Sequence, residues 1–162
     1  MPRKFTIKKE IRSLGIDACN PGRVIGAVVR GGLYLDGVVA LSPNPKRWSL
    51  SIANAIVRTR FYSELKLIMT HDPGQRLDIR QIERVTKLAV IEVSTARGFG
   101  RKGFELFRVG TRQLQTRSSL ETRIVEEILG TTWTIGSLPE SLRIAHLIAI
   151  SRFLEKKPAV LG

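Results

Sequence analysis

Glu10-Ile-Arg-Ser-Leu-Gly-Ile-Asp17 and, after a short break, Val24-Ile-Gly-Ala-Val-Val-Arg-Gly-Gly-Leu-Tyr-Leu-Asp-Gly-Val-Val-Ala40 decide how this chain folds. Residues 11–18 read as a strand ending at a lone carboxylate, Asp17, with Asn20-Pro21-Gly22 supplying the turn that follows. Residues 24–29 and 33–41 are two further strands folded back across Gly31-Gly32, since glycine enters the positive-φ region that tight hairpins demand. Asp36-Gly37 interrupts the third strand as a bulge would, leaving Asp36 as a cap or a distant site carboxylate.

Beyond the hairpin the period changes. Trp48, Ile52 and Ile56, with Ala53 and Ala55, repeat at helical spacing up to about Arg60. Residues 65–69 form a short, nearly continuous apolar run, as expected of a strand covered on both faces. A helix capped by Asp78 and carrying Ile79, Ile82 and Val85 follows, then a second central strand over 88–93. Residues 97–103 make a glycine-rich basic loop, and 104–109 a strand. Ser118-x-x-Glu121 and Ser137-x-x-Glu140 read as capping boxes opening two last helices, the first ended by Gly130. The order of elements predicts an α/β fold, a mixed sheet with antiparallel first three strands and helices on both faces, in one domain over 1–162.

The partner class is legible in the charge. Twenty-seven Lys and Arg against fourteen Asp and Glu leave +13, a field that favours polyanions, nucleic acid first. Residues 97–123 hold Arg97, Arg101, Lys102, Arg108, Arg112, Arg117 and Arg123 against Glu105 and Glu121 only, a local excess of +5. The first five of these are the candidate phosphate contacts. No apolar run is long enough to span a bilayer, and no signal peptide is visible at the N-terminus. A single cysteine, Cys19, gives no intrachain disulfide and fits a reducing cytoplasm.

If the first strand and the 65–69 strand lie side by side and parallel, Asp17 meets His71 and Asp72 at their carboxyl ends, where ligand sites of open α/β sheets form. Carboxylates there could hold a divalent metal, polarise a phosphodiester and activate water, which makes Asp17 and Asp72 the candidate metal ligands. Each has an ordinary structural alternative as a turn or helix cap. His146, on an apolar helix, is either a core histidine or a site group. Cys19 shows no partner base in the sequence, and Gly98-Phe-Gly-Arg-Lys-Gly103 lacks P-loop spacing.

Residues 10–17, 24–40 and 60–69, together with Leu138-Pro-Glu-Ser-Leu-Arg-Ile-Ala-His-Leu-Ile-Ala149, resemble an uncharacterised archaeal family distantly related to endonuclease V (domain of unknown function ninety-nine, endonuclease dU-like). The resemblance covers most of the chain. It implies a ribonuclease H-like fold, whose metal-dependent nucleases begin with a carboxylate-tipped strand and a hairpin, and an ancestry in cleaving nucleic acid near deaminated bases with magnesium. The departures bear on activity. Ala18 stands where the family has a second Asp, residues 43–48 carry no carboxylate, and His71 aligns with an expected Asp that Asp72 misses by one position. One aligned carboxylate is a poor cradle for magnesium, although histidine shifts preference toward manganese or zinc. Two expectations follow. The chain is a nucleic-acid-binding protein with a degenerate or rebuilt metal site, holding magnesium, manganese or no metal. Alternatively it is an active metal-dependent endonuclease using Asp17, Asp72, His71 and His146.

Overall fold

The hairpin forms where the residue pattern puts it. In the computed structural model, which describes residues 7–20, 22–95 and 102–155, β1 (Arg12–Asp17) pairs antiparallel with β2 (Val24–Arg30), and β2 with β3 (Tyr34–Leu41). Gly31 turns the chain at φ 58°, a left-handed conformation that costs glycine little. The register slips between Val28 and Val29, which makes Asp36 the extra residue of the expected bulge. Asp36 sits at the opposite end of β1 from Asp17 and accepts from Arg12 Nε and Arg30 Nε, each at 2.9 Å. It ties the hairpin together and stands apart from the candidate site.

α1 (Trp48–Arg58) then leads to β4 (Leu67–His71), parallel to β1, and α2 (Ile79–Thr86) leads to β5 (Ala89–Ser94), parallel to β4. β6 (Glu105–Val109) and β7 (Arg112–Ser118) close the sheet as an antiparallel pair, in the order β3-β2-β1-β4-β5-β7-β6. α3 (Thr122–Thr132) and α4 (Glu140–Glu155) complete the chain. The fold is the expected α/β one, a mixed sheet with three antiparallel leading strands and helices on both faces.

Four local readings are corrected by the structure. The strand expected at 65–69 starts two residues later and runs through His71, because Leu65 closes a short 3-10 turn over Tyr62–Glu64. β7 was not expected, since Arg112-Gln-Leu-Gln-Thr-Arg-Ser118 has one apolar residue; pairing with β5 and β6 buries Gln115 and Thr116 all the same. Ser118 belongs to β7 and donates to Val90 O at 2.8 Å, so it caps no helix. Gly130 does not end α3, whose last turn is closed by Trp133 N–H to Leu129 O at 2.8 Å.

Side-chain alternation along β1 separates the two faces. Leu14 and Ile16 pack with Ile52, Ile56, Ile68, Ile82 and Val90 under α1 and α2. The last six of these seven are fully buried, each worth about 1.5–3 kcal/mol relative to exposure. The other face of β1 carries Gly15, and α4 lies directly on it. A Cβ added there would sit 2.6 Å from Leu142 N, closer than any side chain tolerates. This absent side chain sets the distance between α4 and the strand that carries Asp17.

Candidate metal centre

The parallel register of β1 and β4 pairs Asp17 directly with His71. Two residues earlier on each strand, Gly15 and Met69 meet Ser141 of α4, so by alternation Asp17 and His71 also point at that helix. His146 lies five residues along α4 from Ser141, about one and a half turns, which carries it over the strand ends. Cys19 follows one residue past β1, after Ala18 N–H has bonded to His71 O at 2.9 Å.

These four side chains converge. Asp17 Oδ2 lies 2.8 Å from His146 Nδ1 and 3.1 Å from His71 Nδ1. Asp17 Oδ1 accepts from Cys19 N–H at 3.1 Å. Cys19 Sγ is 3.5 Å from both Asp17 Oδ2 and His71 Nδ1, and 3.7 Å from His146 Nδ1. The imidazoles meet edge to face, their centroids 5.4 Å apart. One ligand atom from each residue falls within 4.8 Å of every other, a cluster that could hold a metal ion.

Asp17 is fully buried, and the burial pushes its carboxyl up; hydrogen bonds from His71, the Cys19 N–H and His146 outweigh that and hold it below the ordinary value of 3.8. Desolvation first, then the Asp17 charge, push the Cys19 thiol up to about 12. The partner bases that the sequence did not reveal are therefore present in space, yet without a metal the thiol stays protonated. Because the thiolate is the nucleophile, Cys19 in chelator-treated protein should alkylate roughly 10³-fold more slowly at neutral pH than an unperturbed cysteine. Timed iodoacetamide labelling, quantified by mass spectrometry, checks this.

Asp72 lies outside the cluster. It opens a turn closed by Gln75 N–H to Asp72 O at 3.0 Å, and its Oδ2 accepts from Leu77 N–H at 2.8 Å. It lines a cleft of about 150 Å³ beside His71, with Thr70, Gln75, Glu92 and Phe104. On that wall Asp72 Oδ1 and Thr70 Oγ1 are buried and have no hydrogen-bond partner among the described residues.

Of the candidate phosphate contacts, Arg97 and Arg101 lie outside the described residues. Lys102 and Arg108 are exposed. Arg112 is engaged internally, its guanidinium 4.8 Å from the Trp133 ring and donating to Gly136 O at 3.4 Å. Arg117 is likewise held by Glu92, with Nε–Oε2 at 2.6 Å. The register shows a second basic group that the sequence reading missed. The segments after β1, β3 and β4 all emerge at the Asp17 end of the sheet. They place Arg23, Lys46, Arg47, Arg76 and, in the first turn of α2, Arg80 at that end of the sheet. Of the two carboxylates in these segments, Asp78 caps Gln81 N–H at 3.1 Å, and Asp72 commits one oxygen, Oδ2, to Leu77 N–H. Strand topology, absent from any local pattern, is what gathers these cations.

No protein-family model matches the chain. It is 29% identical to the UPF0215 protein of Methanosarcina acetivorans over 92% of its length and 94% of that protein. It is 27% identical to the UPF0215 protein of Methanopyrus kandleri, over 88% and 91% respectively. These relatives are UPF0215 proteins of archaea. Among solved structures, a protein of unknown function from Archaeoglobus fulgidus superposes with a TM-score of 0.68 at 23% identity, covering 88% of this chain and 98% of that one. Marinitoga piezophila Argonaute, solved with guide RNA and target DNA, gives a TM-score of 0.58 at 12% identity over 91% of this chain and 30% of Argonaute. The fold is ribonuclease H-like. No helix among the described residues is long and apolar enough to cross a membrane.

Proposed function

We propose that this chain, acting as a single domain in the reducing cytoplasm, binds nucleic acid along the Asp17 edge of its sheet, and that endonuclease V-like ancestry has left it a rebuilt metal site with weak or no phosphodiester cleavage. The observation that carries the reading is the cluster's composition: two imidazoles and a thiol around a single carboxylate. Magnesium demands near-octahedral oxygen coordination. Asp17 alone supplies oxygen to the cluster, and Asp72 is committed to its turn. The residues of the cluster do not fit magnesium.

Binding rests on the cations. Exposed Lys46, Arg47 and Arg76 stand on segments that leave the Asp17 end of the sheet, and Arg97, Arg101, Lys102 and Arg108 are the further candidates read from sequence. Contacts of this kind neutralise phosphates and release counterions, so affinity falls with salt and depends little on sequence. Replacing Lys46, Arg47 and Arg76 together by Ala is expected to weaken binding to single strands and duplexes, and to flatten the plot of log affinity against log salt by about 0.7–0.9 per lost contact. Fluorescence anisotropy across a salt series measures it. An unchanged slope would remove this edge as the binding surface.

A second reading, an active endonuclease cutting near deaminated bases as in repair, draws on Asp72 Oδ1, the buried oxygen with no partner one residue from His71. Incubating inosine- and uracil-containing DNA and RNA with magnesium or manganese separates the two. Turnover abolished by Asp17→Ala, in a variant shown to be folded, supports the endonuclease. Binding without turnover supports the proposal.

A further inference from the structure

We infer that Asp17, Cys19, His71 and His146 form a closed, four-coordinate site for a zinc-class divalent cation, and that its role is to clasp α4 to the ends of β1 and β4. The inference concerns the cation's chemistry and does not depend on nucleic-acid binding.

Geometry comes first. A tetrahedral zinc with Zn–N near 2.0–2.1 Å and Zn–S near 2.3 Å requires its nitrogen and oxygen donors to lie about 3.3–3.4 Å apart, and sulfur about 3.6 Å from each of them. In this structure the three sulfur edges are 3.5 Å to Asp17 Oδ2, 3.5 Å to His71 Nδ1 and 3.7 Å to His146 Nδ1. The carboxylate-to-imidazole edges are 2.8 and 3.1 Å, those of hydrogen bonds, and need to open by only a few tenths of an ångström. The remaining edge, imidazole to imidazole, lies within the 4.8 Å that bounds the whole group. Five of the six edges between donors from β1, the turn after it, β4 and α4 thus lie within a few tenths of an ångström of a zinc tetrahedron or slightly short of it.

The donor chemistry agrees. Imidazole and thiolate suit zinc and its transition-metal neighbours, whereas carboxylate, carbonyl and water suit magnesium. Zinc takes tetrahedral sets of cysteine, histidine and carboxylate donors, the three types present here. With four protein donors no coordination position is left for water, which is the pattern of structural zinc sites; catalytic ones keep one position open. The donors come from β1, the residue pair after it, β4 and α4, so a bound ion replaces the Asp17 hydrogen bonds to His71 and His146 with coordinate bonds that cross-link the same elements. Burial of Asp17 at 0% exposure and of His71 at 8% favours the clasp, because partners shielded from water hold an ion more tightly.

The test uses the full chain, stripped with chelator and titrated with Co(II) and Zn(II), with no nucleic acid present. One equivalent of Co(II) is expected to give the intense visible bands of tetrahedral cobalt and a near-ultraviolet thiolate-to-cobalt charge-transfer band, both erased by one equivalent of zinc and unaffected by a large excess of magnesium. Cys19→Ser, at an exposed position where the fold tolerates change, should keep one-to-one binding but lose the charge-transfer band. His146→Ala should weaken zinc by more than the roughly 10–100-fold that loss of an outer partner costs. Zinc at 100-fold above its dissociation constant should raise the parent Tm by about 5–10 °C. Absence of saturable one-to-one cobalt binding, displacement by magnesium, a charge-transfer band that survives Cys19→Ser, or zinc affinity unchanged in folded His146→Ala would each overturn the inference.

Discussion

Gly15→Val is expected to lower Tm by about 6–12 °C, the equivalent of about 3 kcal/mol for a chain of this size. The new side chain has nowhere to go, because a Cβ at position 15 would lie 2.6 Å from Leu142 N and equally close to Ser141 O, both backbone atoms of α4. Neither can swing aside, so α4 must move away from β1, and His146 with it. The variant should therefore lose the Asp17–His146 contact along with stability. Gly130→Ala is the matched control. In the interior of α3, with nothing within 4 Å of the added Cβ and no positive φ, it should stabilise by about 0.5–1 kcal/mol through helix propensity and a less flexible unfolded chain. Paired thermal melts decide the matter, and a Gly15→Val melt within a degree or two of the parent would show that α4 is not seated as described.

Asp17→Ala, compared with the parent in chelator, is expected to cost about 2–4 kcal/mol at pH 7. The carboxylate is fully buried and meets His71, His146 and the Cys19 N–H, and removing it leaves those buried or half-buried donors without an acceptor. The effect has a defined pH dependence. The folded-state pKa of Asp17 lies below the ordinary 3.8, so its ionisation contributes stability that is fully present above that value. That contribution fades as the pH falls through the lowered folded pKa. The gap between parent and variant should accordingly narrow as the pH falls below about 4. Urea denaturation at several pH values measures it; a gap that fails to narrow below about pH 4 would reverse the assignment of Asp17 as an ionised acceptor.

The sheet was largely readable from residue patterns, and the reasons are local. Alternating or continuous apolar runs mark β1, β2, β4 and β5, and glycine at position 31 marks the hairpin. β7 escaped because its pairing buries Gln115 and Thr116, residues that periodicity counts as solvent-facing. The site was readable only in part. Asp17, His71 and His146 could be named as candidates, but Asp72 was weighted above Cys19 because adjacency to the expected strand end looked decisive. Two unseen residues of β4 changed that. With His71 inside the ladder, alternation sends it to the α4 face with Asp17, while Asp72 turns away into its loop. Cys19 was discounted for want of a neighbouring base, and both its neighbours are distant in sequence: His71 by 52 residues and His146 by 127.

Those separations have a bearing on how the molecule is made. Asp17 finds His71 across 54 residues and His146 across 129, so its two imidazole partners reach it at different stages of synthesis. The β1–β4 half of the cluster can form once the ribosome has released the first two strands' worth of parallel pairing, but it lacks its second imidazole until α4 emerges and docks on Gly15. Occupancy of the fourth corner is thus a late event that reports on the docking of α4 against β1 and β4. A spectroscopic probe bound there would follow the last long-range step of folding in real time, where signals from the helices or the hairpin would already have reached their final values.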